Sequence, residues 1–277
     1  MKISIYIATQ NDYNFPKCKS YVPLIVGKPN YKIESSINDS VGESISSKNR
    51  FYCELTGHYW IWKNDNQSDI VGLCHYRRFL WLNNIRRRIC KKNFTALSAE
   101  VENYLDTCNV EKILTDYDII LPRPYIFSAD NIKSQFVRYH GQTNYDLIID
   151  SLQRLYPNYV ESAKLTFNQR FEYLANLLIT RKELFDAYSE WLFSILQDIE
   201  NHIDLSDERS FRLLGYIGER LLNLYVFHNK LNVKEVPQIF INANDKEDLY
   251  IDLRYIKRRY FAGVLNFEES IRKRFKG

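Results

Sequence analysis

The run Asp69-Ile70-Val71-Gly72-Leu73-Cys74-His75-Tyr76-Arg77-Arg78-Phe79 carries apolar residues into an abruptly cationic end. A buried strand that delivers imidazole and guanidinium groups at its carboxyl end presents them at the edge where open α/β sheets bind ligands. The chemistry that suits these groups is anion binding, because guanidinium forks pair with phosphate oxygens through charge-assisted bonds worth ~1.5–3 kcal/mol each. His75, Tyr76, Arg77 and Arg78 are therefore the expected anion-binding set. Side chains alternate along a strand, so His75 and Arg77 are expected to share a face and Arg78 to turn into the fold. The structural alternative is an arginine that bridges carboxylates of the helix and strand.

A second segment, residues 49–64, carries more functional groups than a packing helix needs: Glu54, Thr56, Tyr59, Trp60 and Lys63. Glu54 is suited to a nucleotide or an acceptor hydroxyl, whereas Trp60 and Trp62 are expected in the core. Thr9 ends an apolar run and opens the polar turn Gln10-Asn11-Asp12-Tyr13-Asn14, again a strand followed by a ligand-type loop. His140 is a substrate-binding candidate or a hydrogen-bonded structural residue, and Asp146 nearby is a candidate base or acceptor ligand. Asp116-Tyr117-Asp118 has the spacing of a metal-binding pair but begins a strand instead of ending one, so no metal site is expected there.

The elements that must position these groups alternate. Strands are expected at 2–9, 21–26, 69–74, 116–121, 173–180 and 236–241, and helices at 51–63, 131–155, 182–199 and 212–228. That order argues for an α/β sheet with both faces covered. The chain has 277 residues, 45% of them hydrophobic and 26% charged, which suits one large domain over 1–250 followed by a short segment, 251–277. Its 21 Tyr and 16 Phe provide flat surfaces of the kind that suit sugars, or reflect codon bias alone. Five cysteines, with no C-x-x-C pair, are expected as reduced thiols without zinc.

The net charge of +4 is uneven. Arg254, Lys257, Arg258, Arg259, Arg272, Lys273, Arg274 and Lys276 outweigh Glu268 and Glu269, with aromatic and aliphatic residues interleaved, so the rest of the chain is slightly acidic. This amphipathic tail suits anionic lipid, or else a solvated helix. No apolar run reaches the ~20 residues of a membrane span, and the first ten residues do not resemble a signal peptide. The expected location is the cytoplasm, peripheral at the inner face of the membrane. Nucleic acid is not expected as a partner, since no recognition motif is present.

Residues 49–64, 72–79 and 117–122, then Asn176-Leu177-Leu178-Ile179, Trp191-Leu192-Phe193-Ser194-Ile195-Leu196 and the run from Arg212 through Asn223, together resemble the domain-of-unknown-function family 4422 of capsule and O-antigen gene clusters. That family is linked to glycosyltransferase family 111. The resemblance implies inverting galactofuranosyl transfer from UDP-galactofuranose on a GT-A-like fold, a Rossmann-like mixed sheet covered by helices. A fainter similarity to glycosyltransferase family 8 supports the same fold, but His75-Tyr76-Arg77 stands where that family has its metal-holding aspartates.

The implied reaction takes a UDP-sugar donor and a lipid-linked glycan acceptor, with no cofactor and no metal. Thr9 and its turn would hold the nucleotide, and His75, Tyr76, Arg77 and Arg78 the diphosphate. Glu219, in the place of the late acidic motif of GT-A enzymes, would take the acceptor proton, with Asp146 in reserve. Glu54, Asn176 and His140 would bind acceptor or sugar. A structural reading of Glu219 pairs it with Arg212 or Arg220. A non-catalytic sugar- or nucleotide-binding subunit is the alternative function, and a phosphotransferase is disfavoured because no P-loop is present.

Overall fold

The computed structural model describes residues 1–28, 37–86, 89–242 and 248–257. Most of the basic tail, from 258 onward, lies outside the described residues. In chain order the strands are β1 (Ile3–Thr9), β2 (Tyr21–Ile25), β3 (Ile37–Asn38), β4 (Ile70–His75), β5 (Arg78–Leu80), β6 (Lys91–Phe94), β7 (Ile119–Pro122), β8 (Tyr125–Ile126), β9 (Phe171–Glu172), β10 (Leu178–Arg181), β11 (Val233–Val236), β12 (Gln238–Ile241) and β13 (Asp248–Tyr250). The helices are α1 (Asn49–Tyr52), α2 (Leu55–Asn64), α3 (Ala99–Leu105), α4 (Val110–Asp116), α5 (Ile132–His140), α6 (Gln142–Leu155), α7 (Val160–Phe167), α8 (Lys182–Glu200) and α9 (Leu213–His228).

Strands β3, β2, β1 and β4 run parallel. Antiparallel β10 joins β4 to β7, and β11 pairs parallel with β7. A branch leaves β4 through β5 to β12, β6 and β13. The sheet is thus mixed. Alternation along its strands feeds two cores: Tyr6, Ala8, Val71, Leu73, Ile119, Leu121 and Leu178 pack on one face, and Ile5, Ile7, Ile70, Cys74, Ile120 and Ile179 on the other. Both faces are covered, which is why these strands read as continuous apolar runs. Each fully buried aliphatic side chain contributes ~1.5–3 kcal/mol against leaving it in water.

Several expected elements break where the backbone demands it. The helix expected at 51–63 divides at Cys53, whose φ of 52° lies in the left-handed region. The helix expected at 131–155 divides at Gly141, φ 86°. The strand expected at 173–180 begins only at Leu178, because Ala175 and Asn176 take φ of 72° and 49°. Asp116 belongs to α4, and β7 begins at Ile119. The strand expected at 236–241 is β12, separated from β11 by Pro237, which has no N–H to give a ladder. No helix among the described residues is long and apolar enough to cross a membrane.

Candidate active site

The carboxyl ends of β1 and β4, the approach to β10, the junction of α1 with α2 and the start of α9 surround a cleft of about 1350 Å³. Its close walls depend on small residues in α9. A Cβ on Gly218 would sit 2.6 Å from Leu55 Cδ1, and one on Gly215 would sit 3.2 Å from Cys53 Sγ. Glycine at both places lets α9 approach the α1–α2 junction closely enough to bring Glu54 and Glu219 to one cleft.

The hairpin after β4 reverses one sequence expectation. Tyr76 and Arg77 form a two-residue turn, so His75 pairs across it with Arg78. Alternation along a continuing strand would have placed His75 with Arg77, but the chain turns back and gives that place to Arg78. Arg78 lines the cleft instead of entering the fold, while exposed Arg77 donates to the Tyr76 hydroxyl at 2.6 Å. Tyr76 in turn stacks on Tyr13, ring centroids 4.3 Å apart.

His75 is not a cation here. Burial, aided by the Arg78 charge, lowers its pKa to about 4, and its Nε2 has no hydrogen-bond partner. Lys91 and Arg220 line the cleft, and Arg50, Arg77, Arg78 and Arg212 bring the rest of its positive charge. Among the described residues, none of these four has a carboxylate at ion-pair distance. Arg50 lies 3.4 Å over the Phe211 ring, and Arg78 5.3 Å from that of Phe240. Arg50 and Arg212 were not read from the sequence as anion-binding residues, because each lies at a helix boundary far from the other in the chain. The signal available was the pairing of each with phenylalanine, Arg50-Phe51 and Phe211-Arg212, whose rings meet at 6.0 Å.

Two carboxylates border the same space. Glu54 Oε1 accepts from Asn176 Nδ2 at 2.7 Å and lies 3.9 Å from His75 Nε2. Burial holds its carboxyl above the usual range, against the Asn176 hydrogen bond and the charges of Arg212 and Arg78. Glu219 Oε1 accepts the Ala175 N–H at 2.8 Å, and Oε2 accepts from Arg220 at 2.7 Å. Burial raises Glu219 too, opposed by Arg220 and supported by the Glu54 charge. The ion-pair reading of Glu219 is therefore realised with Arg220 and not with Arg212. Arg220 also reaches Glu172, at 3.1 Å, whose fully buried carboxyl is pushed up to about 7 by burial.

The remaining candidates are placed as follows. Thr9 lines the cleft, but its hydroxyl closes the following turn by donating to Asn11 O at 2.6 Å. His140 lines it with its ring 4.6 Å from Tyr216, its pKa lowered to about 4 by burial and Arg220. Asn176 is 2% exposed and spends its amide on Glu54 and Gly215 O, so it supports the wall instead of lining it. Asp146 does not line the cleft; it is exposed on α6, where its carboxylate accepts from Gln142. Asp116 and Asp118 flank the amino end of β7, opposite the edge that carries Thr9 and His75, and Asp118 accepts the Asn232 N–H there. Among the described residues no cluster of three or more His, Cys, Asp or Glu is arranged to hold a metal. Trp60 is buried as expected, and Trp62 packs against the same core half-buried.

No curated protein sequence matches the chain. Among solved structures, the apo form of the bifunctional glycosyltransferase WbbM is similar, with a TM-score of 0.81 and 30% identity over 91% of this chain. The chain spans 47% of that protein's length, about half. The mixed, helix-covered sheet is thus the GT-A-like architecture that the sequence implied. The model of the family described as domain of unknown function (DUF4422) matches residues 4–230, and the chain belongs to that family.

Proposed function

We propose that the protein is a glycosyltransferase that moves a sugar from a UDP-sugar to a lipid-linked glycan acceptor in bacterial surface-polysaccharide assembly. The observation that carries this reading is the set of four arginines, without carboxylate partners among the described residues, that shares one cleft with two largely buried carboxylates. Such an arrangement suits the departure of a diphosphate together with removal of a hydroxyl proton. Similarity to a bifunctional glycosyltransferase supports it.

The acceptor oxygen attacks the anomeric carbon from the face opposite the nucleotide, inverting the centre, and the diphosphate leaves. Arg50, Arg77, Arg78 and Arg212 supply the positive charge that this departure requires, in place of a divalent cation. Thr9 and its turn hold the nucleotide, His140 and its neighbour Tyr216 face the sugar or acceptor, and one of the two carboxylates takes the proton. Galactofuranose and galactose are the sugars to try first. The basic tail holds the enzyme at the inner membrane surface beside its acceptor.

UDP release from UDP-galactofuranose, UDP-galactose and UDP-glucose, with and without octyl galactoside as acceptor, tests this. Turnover that persists in EDTA is the expected result. Tight UDP binding without turnover of any donor would instead make the protein a sugar- or nucleotide-binding subunit.

A further inference from the structure

Glu54 and Glu219 are held in different ways. Both oxygens of Glu219 are engaged, Oε1 by the Ala175 N–H and Oε2 by Arg220, which is itself anchored from behind by Glu172. Each oxygen therefore already accepts a hydrogen bond from a group of the cleft wall. Glu54 accepts from one side chain, Asn176, through Oε1, and otherwise from its own backbone N–H. Its other neighbours approach without a hydrogen bond: His75 Nε2 at 3.9 Å, and the charges of Arg78 and Arg212.

From this contrast we propose that Glu54 is the proton acceptor of the transfer, that Asn176 is its positioning residue, and that Glu219 is a fixed anion holding Arg220 and the turn at Ala175. The assignment rests on the glycosyl-transfer reading above. In the step, the acceptor oxygen bonds to the anomeric carbon and its proton passes to the Glu54 carboxylate. The bond from the anomeric carbon to the diphosphate oxygen breaks, its electron pair leaves with the diphosphate, and Glu54 later returns the proton to solvent.

The groups that face Glu54 come from every wall: Cys53 on its own segment, His75 and Arg78 from the β4–β5 hairpin, Asn176 from the approach to β10, and Arg212 and Glu219 from α9. Cys53 adds no charge, since burial pushes its thiol up to about 12. His75 is neutral above about pH 4, so it stands beside Glu54 without pairing with its charge. Burial raises the Glu54 carboxyl above the usual carboxylate range, which makes it a stronger proton acceptor than a solvated carboxylate.

The test is UDP release by the full chain with the three donors and octyl galactoside, followed for Glu54→Gln, Glu54→Asp and Glu219→Gln. Glu54→Gln is expected to lower kcat about 100-fold or more, to keep donor KM and UDP binding by calorimetry, and to remove the acid limb of the pH profile. Glu54→Asp recovers part of the rate. Glu219→Gln is expected to lower the thermal transition and to keep the acid limb. Unchanged kcat in Glu54→Gln, or loss of the acid limb in Glu219→Gln with its stability intact, overturns the assignment alone. A wild-type protein that turns over no donor overturns the transfer reading and this assignment together.

Discussion

His58 and His75 occupy two regions that meet along α2, and both are held neutral, yet the regions are built for opposite ends. His58 is fully buried: Nε2 meets Ser189 Oγ at 2.8 Å, the ring stacks on Phe185 at 4.3 Å, and Tyr188 and Phe193 meet it edge-on. Burial alone lowers its pKa, to about 3. His75 is lowered by burial and by a facing guanidinium, that of Arg78, which has no ion-pair partner among the described residues. The backbone differs as well. Cys53, Ala175, Asn176 and Arg212, all at the cleft, have positive φ, whereas none of the residues packed on His58 does. A perturbed histidine is thus no marker of function by itself; unpaired cations and strained backbone around it are.

The largest effect that would break this comparison belongs to the closed region. Phe193, 1% exposed, touches the rings of His58, Tyr59 and Trp62, so Phe193→Ala is expected to cost ~3–5 kcal/mol of stability. Urea titration measures it. UDP affinity per folded molecule should be unaltered, and a selective loss of affinity would mean the two regions are one.

The open region gives the next effect. Arg78→Ala removes from the cleft wall a cation with no ion-pair partner among the described residues, and UDP affinity by calorimetry should fall about 10- to 100-fold, as one charge-assisted contact is worth. The thermal transition should hardly move. Arg77→Ala, at a residue exposed on the turn and already engaged by Tyr76, should cost less. A larger loss from Arg77 than from Arg78 would restore the face assignment that strand alternation suggested.

The contrast also marks what sequence patterning reveals. Apolar runs and helical spacing disclosed β1, β4, α8 and α9, because their side chains answer to the sheet and its cores. The cationic end of β4 was legible as well. That Arg78 lines the cleft beside Arg77 was not, since that depends on a two-residue turn without glycine. Asn176 was read as a ligand because an isolated asparagine looks the same whether it faces a sugar or a buried carboxylate. Arg50 and Arg212 meet only through tertiary packing, so no local period announces them, and Asp146 lies in a polar run whose exposure only the helix packing decides.

The smallest effect is the sharpest separator of the two regions. In the unfolded chain a histidine titrates near 6.5, while folded His58 waits until about 3, so between those values the unfolded form binds the extra proton and stability falls as pH falls. The slope reaches at most ~1.4 kcal/mol per pH unit, and His58 contributes none of it above the unfolded value. Buried Glu172, raised to about 7, acts with the opposite sign: its folded form protonates first, and its contribution is lost as pH rises from about 4.5 to 7. Comparing His58→Gln and His75→Gln with wild type, by urea titration from pH 7 to 5, cancels that background. Each variant should lose less stability on acidification than wild type. Saturating UDP should leave the His58 difference alone and shrink the His75 difference, because a bound diphosphate near His75 raises its folded pKa toward the unfolded one. Equal responses to UDP would mean that the ligand does not sit at the His75 edge.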